Sequence, residues 1–395
     1  MGAFATNSTT VREGITDLEV PNPSSYTFQG QYAPFKAPVF YNPKMEFSRD
    51  LAVLALKAFA PTRESPITVC DPLAGLGARG IRYAKEVPNV SRVVMGDLNC
   101  EALPVMRRNA SLNGVEPLVD VFEKDANLLL TEHAEPGRRF DFIDLDPFGP
   151  PSPFIDSAVR ALKNRGILAI TATDTAPLCG VHAKACLRKY GATPLHADFC
   201  HEAGLRIMIA TAVREALKYD LAAEALLSYS VDHYFRSYLK LTLGAKRADV
   251  SASMLGYITS CAACGWRASY SLTASIPTSC ARCGGAVLRG GPMWLGPISS
   301  DQFIEQLMSQ GMEHLNTAVR IMKMLATLLS ENGLPPSYYV IDNICSRLKR
   351  DVPALEDVLE AVRSKGFASS QTHFHPKAIK TDAPISVIED VVSSI

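Results

Sequence analysis

The fold of this chain is decided by the stretch Phe140-Asp-Phe-Ile-Asp-Leu-Asp-Pro-Phe-Gly-Pro-Pro-Ser-Pro153. Apolar and acidic residues alternate as far as Asp146, and a segment rich in proline and glycine follows at once. This pattern predicts a buried strand that ends in a turn and presents a carboxylate at its carboxyl end. Open α/β sheets bind their ligands at that edge, so we expect Asp146 to lie in a functional site.

On both sides of this stretch, strands and helices are predicted to alternate. Short apolar runs bounded by turn residues indicate strands at 67–71, 92–97, 118–123 and 166–172, and another near 235–243. The helical spacing of apolar residues indicates helices at 45–60, 81–87, 100–112, 154–163 and 205–219. This alternation is typical of a doubly wound parallel sheet, so we expect an α/β fold.

Length and composition set the domain organisation and exclude some classes of protein. A chain of 395 residues is too long for one ordinary core, and we expect two domains, 1–247, with an N-terminal extension over 1–47, and 248–395. Basic and acidic residues number 40 each, so any surface for nucleic acid must be a local patch. Because no signal peptide or long apolar run is present, we expect a cytoplasmic protein with no membrane segment and no obligate protein partner.

A glycine-rich turn follows the strand predicted at 67–71. Gly75-Leu-Gly77-Ala-Arg-Gly80 has the spacing of the dinucleotide fingerprint, in which glycines let the backbone and the amino end of a helix approach a ligand. Asp97 follows at about the distance expected for an acid that binds a ribose. A nicotinamide or flavin enzyme is therefore one alternative.

Two further acids favour a different ligand. Asp71 precedes the turn, and Asp125 follows the third predicted strand. Together with Asp97 they resemble the acids of the S-adenosylmethionine pocket in class I, Rossmann-like methyltransferases. The resemblance implies that Asp71 and the glycines of the turn bind the methyl donor, that Asp97 holds the ribose hydroxyls, and that Asp125 with Ala126 faces the adenine.

The sequence Asp146-Pro147-Phe148 indicates the kind of methyl acceptor. An exocyclic amine on a nucleobase is a poor acceptor because its lone pair is delocalised into the ring. A carboxylate and a backbone carbonyl that accept its two N–H bonds would favour a pyramidal nitrogen and stabilise the positive charge that develops there. We expect Asp146 and the Pro147 carbonyl to do this, with Phe148 stacked on the base. A strand that simply ends in a proline turn is the alternative.

Four of the ten cysteines form two tight pairs in the second predicted domain. Cys261 and Cys264, then Cys280 and Cys283, have Cys-x2-Cys spacing, and fifteen residues separate the pairs. This spacing predicts a zinc ribbon over 257–290 in which the four thiolates hold one structural zinc ion. Redox-active pairs are the alternative. Cys179, by contrast, is expected to be an ordinary residue.

The remainder of the second predicted domain is mostly helical. Amphipathic spacing predicts one long helix over 300–330 and shorter helices over 338–348 and 352–365. The last two resemble a winged-helix module, so we expect an α+β domain with a zinc ribbon and a winged-helix-like part. In the first domain, Asp174 follows the strand at 166–172, where it either lines the base pocket or caps a helix.

Six motifs spread over nearly the whole chain carry a closer resemblance. They are Val39-Phe-Tyr-Asn-Pro-Lys-Met45, Ala78-Arg-Gly-Ile-Arg82, Phe142-Ile-Asp-Leu-Asp-Pro-Phe-Gly149, Thr171-Ala-Thr-Asp-Thr-Ala-Pro-Leu178, Asp232-His-Tyr-Phe235 and Thr372-His-Phe374. With these motifs the chain resembles the tRNA (guanine-N2)-dimethyltransferase family, of archaeal or bacterial type, which modifies guanine-26 of tRNA.

This resemblance implies a reaction, further site residues and a partner. One or two methyl groups pass from S-adenosylmethionine to N2 of guanine, giving N2-methylguanosine and N2,N2-dimethylguanosine. Arg49 and Arg79 contact the donor, Phe40 holds the guanine opposite Phe148, and residues 248–395 bind the tRNA. Two alternatives are a non-catalytic nucleic-acid-binding protein with a dinucleotide-sensing Rossmann domain, and the same chemistry on DNA or protein.

Overall fold

The computed structural model describes residues 7–29 and 31–395, so the first six residues of the predicted extension lie outside the described part. The chain divides into two compact units that are not contiguous in sequence. The first contains residues up to Pro147, Phe154–Ile170 and Glu305–Lys323. The second contains Phe148–Pro153, Thr171–Ile304 and Met324–Ile395.

The extension begins with short strands and leads into a buried helix. The strands are β1 (Ser8–Glu13), β2 (Thr16–Pro21), β3 (Thr27–Phe28) and β4 (Gln31–Tyr32), and they form two antiparallel hairpins, β1 with β2 and β3 with β4. Helix α1 (Glu46–Phe59) confirms the helix predicted at 45–60, and most of its residues are buried. Residues 7–29 and 31–47 of the extension are therefore a folded part of the first unit.

The central sheet confirms the predicted α/β class. Its strands are β5 (Ile67–Asp71), β6 (Val90–Asp97), β7 (Val119–Glu123), β8 (Phe140–Leu145), β9 (Leu162–Ala172), β10 (Leu221–Val231) and β11 (Tyr234–Leu243), in the order β10-β11-β9-β8-β5-β6-β7. The strands β5 to β9 are parallel. The hairpin of β10 and β11 is antiparallel, and the sequence pattern did not predict β10.

Helices separate the strands along the chain. They are α2 (Ala78–Glu86), α3 (Ala102–Asn113), α4 (Ala126–Glu132), α5 (Ile155–Ala161), α6 (Thr175–Leu178), α7 (Ala183–Tyr190), α8 (Cys200–Leu217) and α9 (Ala245–Ser253). The strand order reverses between β5 and β8, which are paired neighbours. In doubly wound sheets this switch point is where ligands bind, and β8 is the strand that delivers Asp146.

The cysteine pairs lie in the connections between the strands of a small antiparallel sheet. Strands β12 (Leu255–Ser260), β13 (Arg267–Ser271) and β14 (Leu288–Trp294) form it in the order β13-β12-β14. The single long helix predicted over 300–330 is wrong. Two helices, α10 (Asp301–Met308) and α11 (Ala318–Glu331), are separated by a segment that contains Gly311, a residue type that disfavours a helix by about 1 kcal/mol relative to alanine.

The C-terminal part has the features of a winged helix. Its elements are β15 (Tyr339–Val340), α12 (Ile341–Leu348), α13 (Leu355–Ser364), β16 (Ser369–Gln371), β17 (Ala378–Thr381) and α14 (Ile385–Ser394). The three helices share one apolar core, which includes Ile344, Val358 and Ile388, and the strands pair in the order β15-β17-β16. None of the helices in the described ranges has the length and apolar character needed to cross a membrane.

A buried network of charges joins the extension to α1 and α2 within the first unit. Arg82 is fully buried, and its guanidinium donates to Asp50 at 2.7 Å, to Glu86 at 2.7 Å and to Glu13 at 3.3 Å. Glu13 also accepts two hydrogen bonds from Arg49 and one from the Tyr41 hydroxyl. Burial works to raise the pKa of Glu13, but the charges and hydrogen bonds of the two arginines outweigh it and bring the pKa down to about 2.

We expect this protein to lose stability in acid through Glu13. Since the pKa falls from 4.5 to about 2 on folding, the contribution is fully present above pH 4.5 and is lost as the pH falls to 2. The shift corresponds to about 3 kcal/mol at most. Urea unfolding between pH 6 and pH 3 measures it, and Glu13→Gln should show a flatter dependence than the unchanged protein. Equal pH dependence of the two proteins would contradict the assignment to Glu13.

Candidate active site

The glycine turn connects β5 to α2 in the first unit, as the sequence predicts. Gly75 has φ +55° and Gly77 has φ +85°, which L side chains adopt only with strain. Gly80 is required for a different reason, because a Cβ at this position would lie 2.4 Å from the Met95 sulfur on β6. The glycines thus form the turn and let α2 pack closely on the sheet.

Asp97 fastens the glycine turn to the end of β6. Its Oδ2 accepts the Gly75 N–H at 2.8 Å, and its Oδ1 accepts the Asn99 N–H at 2.8 Å. The carboxylate is half-buried, so one face of it is open to solvent at the edge of the sheet. Each oxygen has a second lone pair, and the two together can accept bonds from a pair of vicinal hydroxyl groups.

Asp71 lies beneath the turn rather than on the surface. Its side chain is 1% exposed, and its Oδ2 accepts the Gly80 N–H at 3.2 Å. Burial and then the neighbouring charge of Asp144 raise the pKa of Asp71 to about 8, although the charge of Arg79 works against this. In this position Asp71 holds the amino end of α2, while direct contact with a methyl donor remains a prediction.

Asp125 and Ala126 begin helix α4. The Asp125 carboxylate caps this helix by accepting the N–H groups of Asn127 and Leu128 at 2.9 and 3.1 Å, and Ala126 is 2% exposed. Because parallel strands end at one edge of a sheet, the tips of β5, β6 and β7 bring Asp71, Asp97 and Asp125 to the same edge. Their predicted contacts with adenine and ribose remain predictions.

Asp146 is held by an arginine that the resemblance assigned to the methyl donor. Arg79 Nε and Nη2 lie 2.9 and 2.8 Å from Asp146 Oδ2. Arg79 is 5% exposed, and it also donates to Ser48 Oγ at 3.0 Å and lies 3.7 Å from Asp144. The carboxylate of Asp146 is therefore held by an arginine of α2.

Arg49 is the second arginine expected to contact the methyl donor, and it forms an ion pair with Glu13. Its Nε and Nη2 lie 2.7 and 2.5 Å from the two oxygens of Glu13, and Nη2 also donates to the Asn42 carbonyl at 3.1 Å. The side chain is 6% exposed. Contact with a donor would therefore have to be shared with Glu13.

The extension brings Phe40 to the glycine turn. A Cβ on Gly75 would lie 3.4 Å from the Phe40 carbonyl oxygen, and the Asn99 side chain donates to the Pro38 carbonyl at 2.7 Å. Both contacts join the segment that contains Phe40 to the ends of β5 and β6. The structure therefore places this predicted guanine-binding residue beside the predicted donor turn.

Phe148 follows Pro147 in the chain and belongs to the second unit. Its side chain is 75% exposed, which is unusual for phenylalanine. The next residue, Gly149, has φ +89°, donates its N–H to Thr173 Oγ1 at 2.7 Å and accepts the Thr173 N–H at 3.1 Å. These two bonds fix the backbone on which the exposed ring stands.

Asp174 does not cap a helix with its side chain. It precedes α6, but it makes no side-chain bond to the first turn of that helix. Its carboxylate instead accepts a hydrogen bond from the Tyr190 hydroxyl and pairs with Lys189 at 3.1 Å. The capping alternative is therefore wrong, and the base-pocket alternative remains a prediction.

The four ribbon cysteines are arranged to hold a metal ion. Their sulfurs lie within 4.8 Å of one another, with Cys261 to Cys283 at 3.6 Å and Cys264 to Cys280 at 3.5 Å. A tetrahedral zinc site with Zn–S bonds of about 2.3 Å has sulfurs about 3.8 Å apart. Each pair forms the same turn, because the N–H groups of Gly265 and Gly284 donate to the carbonyls of Cys261 and Cys280. The thiols therefore fit a structural zinc ion.

Sequence reasoning missed several residues of this site. Glu13 and Ser48 hold the two arginines, and no local pattern marks them as partners. Asp144, which accepts the Tyr83 hydroxyl, was visible as the second acid of the alternating run. Leu98 directly follows Asp97 and is 70% exposed, so it offers apolar surface beside the glycine turn. In the sequence, its signal is a leucine directly after the acid that ends a predicted strand.

The chain is similar to a known protein family and to curated proteins over nearly its full length. The model of the family described as N2,N2-dimethylguanosine tRNA methyltransferase matches residues 14–393. The tRNA (guanine(26)-N(2))-dimethyltransferase of Methanothermobacter thermautotrophicus is 40% identical, with 98% of this chain and 99% of the relative covered. The protein of the same name from Thermococcus kodakarensis is 39% identical, with the same coverage of both chains.

A solved structure resembles the whole chain as well. It is the complex of Trm1 from Pyrococcus horikoshii with S-adenosyl-L-methionine, and its TM-score is 0.84 at 35% identity. The match covers 97% of this chain and 99% of that one. The similarity therefore includes both units and is not limited to the central sheet.

Proposed function

Because the chain belongs to the N2,N2-dimethylguanosine tRNA methyltransferase family, we propose that it is an S-adenosylmethionine-dependent tRNA (guanine(26)-N2)-dimethyltransferase. It transfers one or two methyl groups to the exocyclic N2 of guanine-26 in tRNA, giving N2-methylguanosine and N2,N2-dimethylguanosine. The observation that carries this function is the similarity over nearly the full length to a Trm1 structure that contains the methyl donor.

The alternatives considered from the sequence have less support. The Gly75-x-Gly77-x-x-Gly80 spacing alone is compatible with a dinucleotide, but the related structure is a complex with S-adenosyl-L-methionine. Relatives that align with 98% of this chain are named tRNA (guanine(26)-N(2))-dimethyltransferase, which favours an enzyme over a non-catalytic binding protein and tRNA over DNA or protein. A cytoplasmic location follows from a tRNA substrate and remains part of the proposal.

The glycine turn and the strand-tip acids would hold the donor. The sulfonium of S-adenosylmethionine supplies an electrophilic methyl group. Gly75 and Gly77 allow the backbone to approach it, and the open face of Asp97 accepts the ribose hydroxyls. Asp125 and Ala126 face the adenine. Arg79 and Arg49 would contact the donor while they also bind the carboxylates of Asp146 and Glu13.

Asp146 and the Pro147 carbonyl would hold the acceptor. Each accepts one N–H bond of guanine N2, while Phe148 and Phe40 pack against the base. As N2 bonds to the methyl carbon, the bond from that carbon to sulfur breaks and positive charge appears on N2. The Asp146 carboxylate stabilises this charge and accepts the proton that N2 releases. Arg79 holds the same carboxylate through Oδ2, which supports a fixed position for Asp146 beside the amine.

The other domain would select the RNA. We propose that residues 1–247 are the methyltransferase domain and that 248–395 bind tRNA, with a zinc ribbon over 257–290. The zinc ion, held by Cys261, Cys264, Cys280 and Cys283, would serve as a structural cross-link, because four thiolates leave no coordination position for a substrate. The methyl transfer itself needs no metal-bound group.

We expect the protein to methylate tRNA that carries guanine at position 26 and to form both modified nucleosides. Unmodified transcripts and isotope-labelled S-adenosylmethionine are incubated with the full chain, and digested nucleosides are identified by mass spectrometry. The matched control transcript has adenine at position 26 and should stay unlabelled. Label in the control, label only on another position, or no label in either RNA would contradict the proposed function.

A further inference from the structure

Three side chains that commonly bind metals meet in the second unit outside the zinc ribbon. We propose that Cys179, Cys200 and His201 form a second zinc site. Their ligand atoms lie within 4.8 Å of one another, although the two cysteines are 21 positions apart in sequence. The zinc ribbon and the methyl-transfer reaction use none of these residues.

Two glycines allow these three side chains to lie close together. Cys179 ends α6, and Cys200 begins α8. A Cβ on Gly180 would lie 2.8 Å from the backbone nitrogen of His196, and one on Gly204 would lie 3.1 Å from Leu178 Cβ. The absence of a side chain at both glycines therefore lets α6 approach the first turn of α8.

The spacing of the ligand atoms is close to that of a tetrahedral zinc site. Cys200 Sγ lies 3.9 Å from His201 Nδ1. With bonds of about 2.3 Å to sulfur and about 2.0 Å to nitrogen, zinc would require about 3.5 Å for this pair and about 3.8 Å between the sulfurs. The distance between Cys200 Sγ and His201 Nδ1 exceeds the zinc value by about 0.4 Å, and all three ligand atoms lie within 4.8 Å of one another.

Burial and charge also suit this ion. Cys179 is buried and Cys200 is half-buried, whereas His201 is exposed. On binding, the two thiols release their protons to solvent, and two Zn–S bonds and one Zn–N bond form. Two thiolates neutralise the charge of Zn²⁺, so the ion adds no net charge to the protein interior. Three protein ligands leave a fourth coordination position, which water can occupy.

Metal content of the full chain tests the site. Protein is kept under reductant and dialysed against metal-free buffer, and its zinc content is measured by elemental mass spectrometry. We expect two zinc ions per chain. Cys200→Ser should retain one, and Cys261→Ser should retain one. In cobalt-substituted protein, Cys200→Ser should remove about one third of the thiolate charge-transfer absorption, because two of six thiolates lose their metal.

Controls separate the second site from the ribbon and from misfolding. Cys345→Ser removes a buried thiol outside both clusters and should retain two zinc ions. Circular dichroism of each variant shows whether it has folded, and the ribbon zinc of Cys200→Ser serves as an internal reference. One zinc ion per chain that Cys261→Ser removes and Cys200→Ser does not would overturn the second site. A disulfide between Cys179 and Cys200 in protein prepared with reductant and zinc would also overturn it.

Discussion

Replacing Asp146 with Asn is expected to slow methyl transfer to tRNA about 10³-fold while donor affinity stays nearly unchanged. Asn keeps an oxygen for Arg79 and nearly the same shape, but it carries no charge to stabilise the developing cation and cannot accept its proton. Single-turnover transfer of labelled methyl groups measures the rate. Calorimetric titration with S-adenosylmethionine measures the affinity.

The matched control is Asp120→Asn. Asp120 Oδ2 accepts Arg92 Nε at 2.6 Å in an exposed pair on β6 and β7, so the same chemical change is made outside the site. Both rate and affinity should then equal those of the unchanged protein. If Asp146→Asn weakened donor binding as much as it slowed transfer, Asp146 would belong to the donor pocket, and its role toward guanine would be wrong.

The second large effect concerns stability. Arg82→Met is expected to lower the free energy of unfolding by about 3–5 kcal/mol. The guanidinium is fully buried and bonded to the carboxylates of Glu13, Asp50 and Glu86. Methionine has a similar length but no charge, so these carboxylates would remain buried with less compensation. Urea unfolding at pH 7 measures the change.

An exposed pair provides the comparison. Arg92→Met breaks the bond to Asp120, where both side chains are about half exposed, and it should cost no more than about 1 kcal/mol. Comparable losses for Arg82→Met and Arg92→Met would show that burial of the network adds nothing to stability. Since Arg82 and Glu13 support Arg49, activity of the folded Arg82 variant should be measured alongside its stability.

The parts of the site that could be predicted are those encoded by short, local patterns. Asp71, Asp97 and Asp146 end apolar strands, and the structure places each of them at a strand end. The cysteine pairs are equally local, since each Cys-x2-Cys turn is formed by backbone bonds within five residues. Such patterns identify the elements and the edge of the sheet where they meet.

The parts that could not be predicted depend on residues distant in sequence. Arg49 and Glu13 are 36 positions apart, and Arg79 and Asp146 are 67 apart. Neither pairing leaves a periodic signal, so the arginines were assigned to a ligand instead of to carboxylates of the protein. The segment at 221–231 is rich in alanine and leucine, which favour helices, and only pairing with β11 makes it a strand.

The bond from Arg79 to Asp146 has a consequence for an enzyme that acts twice on one nitrogen. Dimethylation requires the spent donor to leave and a fresh one to enter between the two transfers. Because the acid is held by a helix of the protein and not by the donor, its position survives this exchange. The Asp146 carboxylate is therefore already oriented for the second methyl transfer when a new donor binds. No further free energy is needed to reorient it.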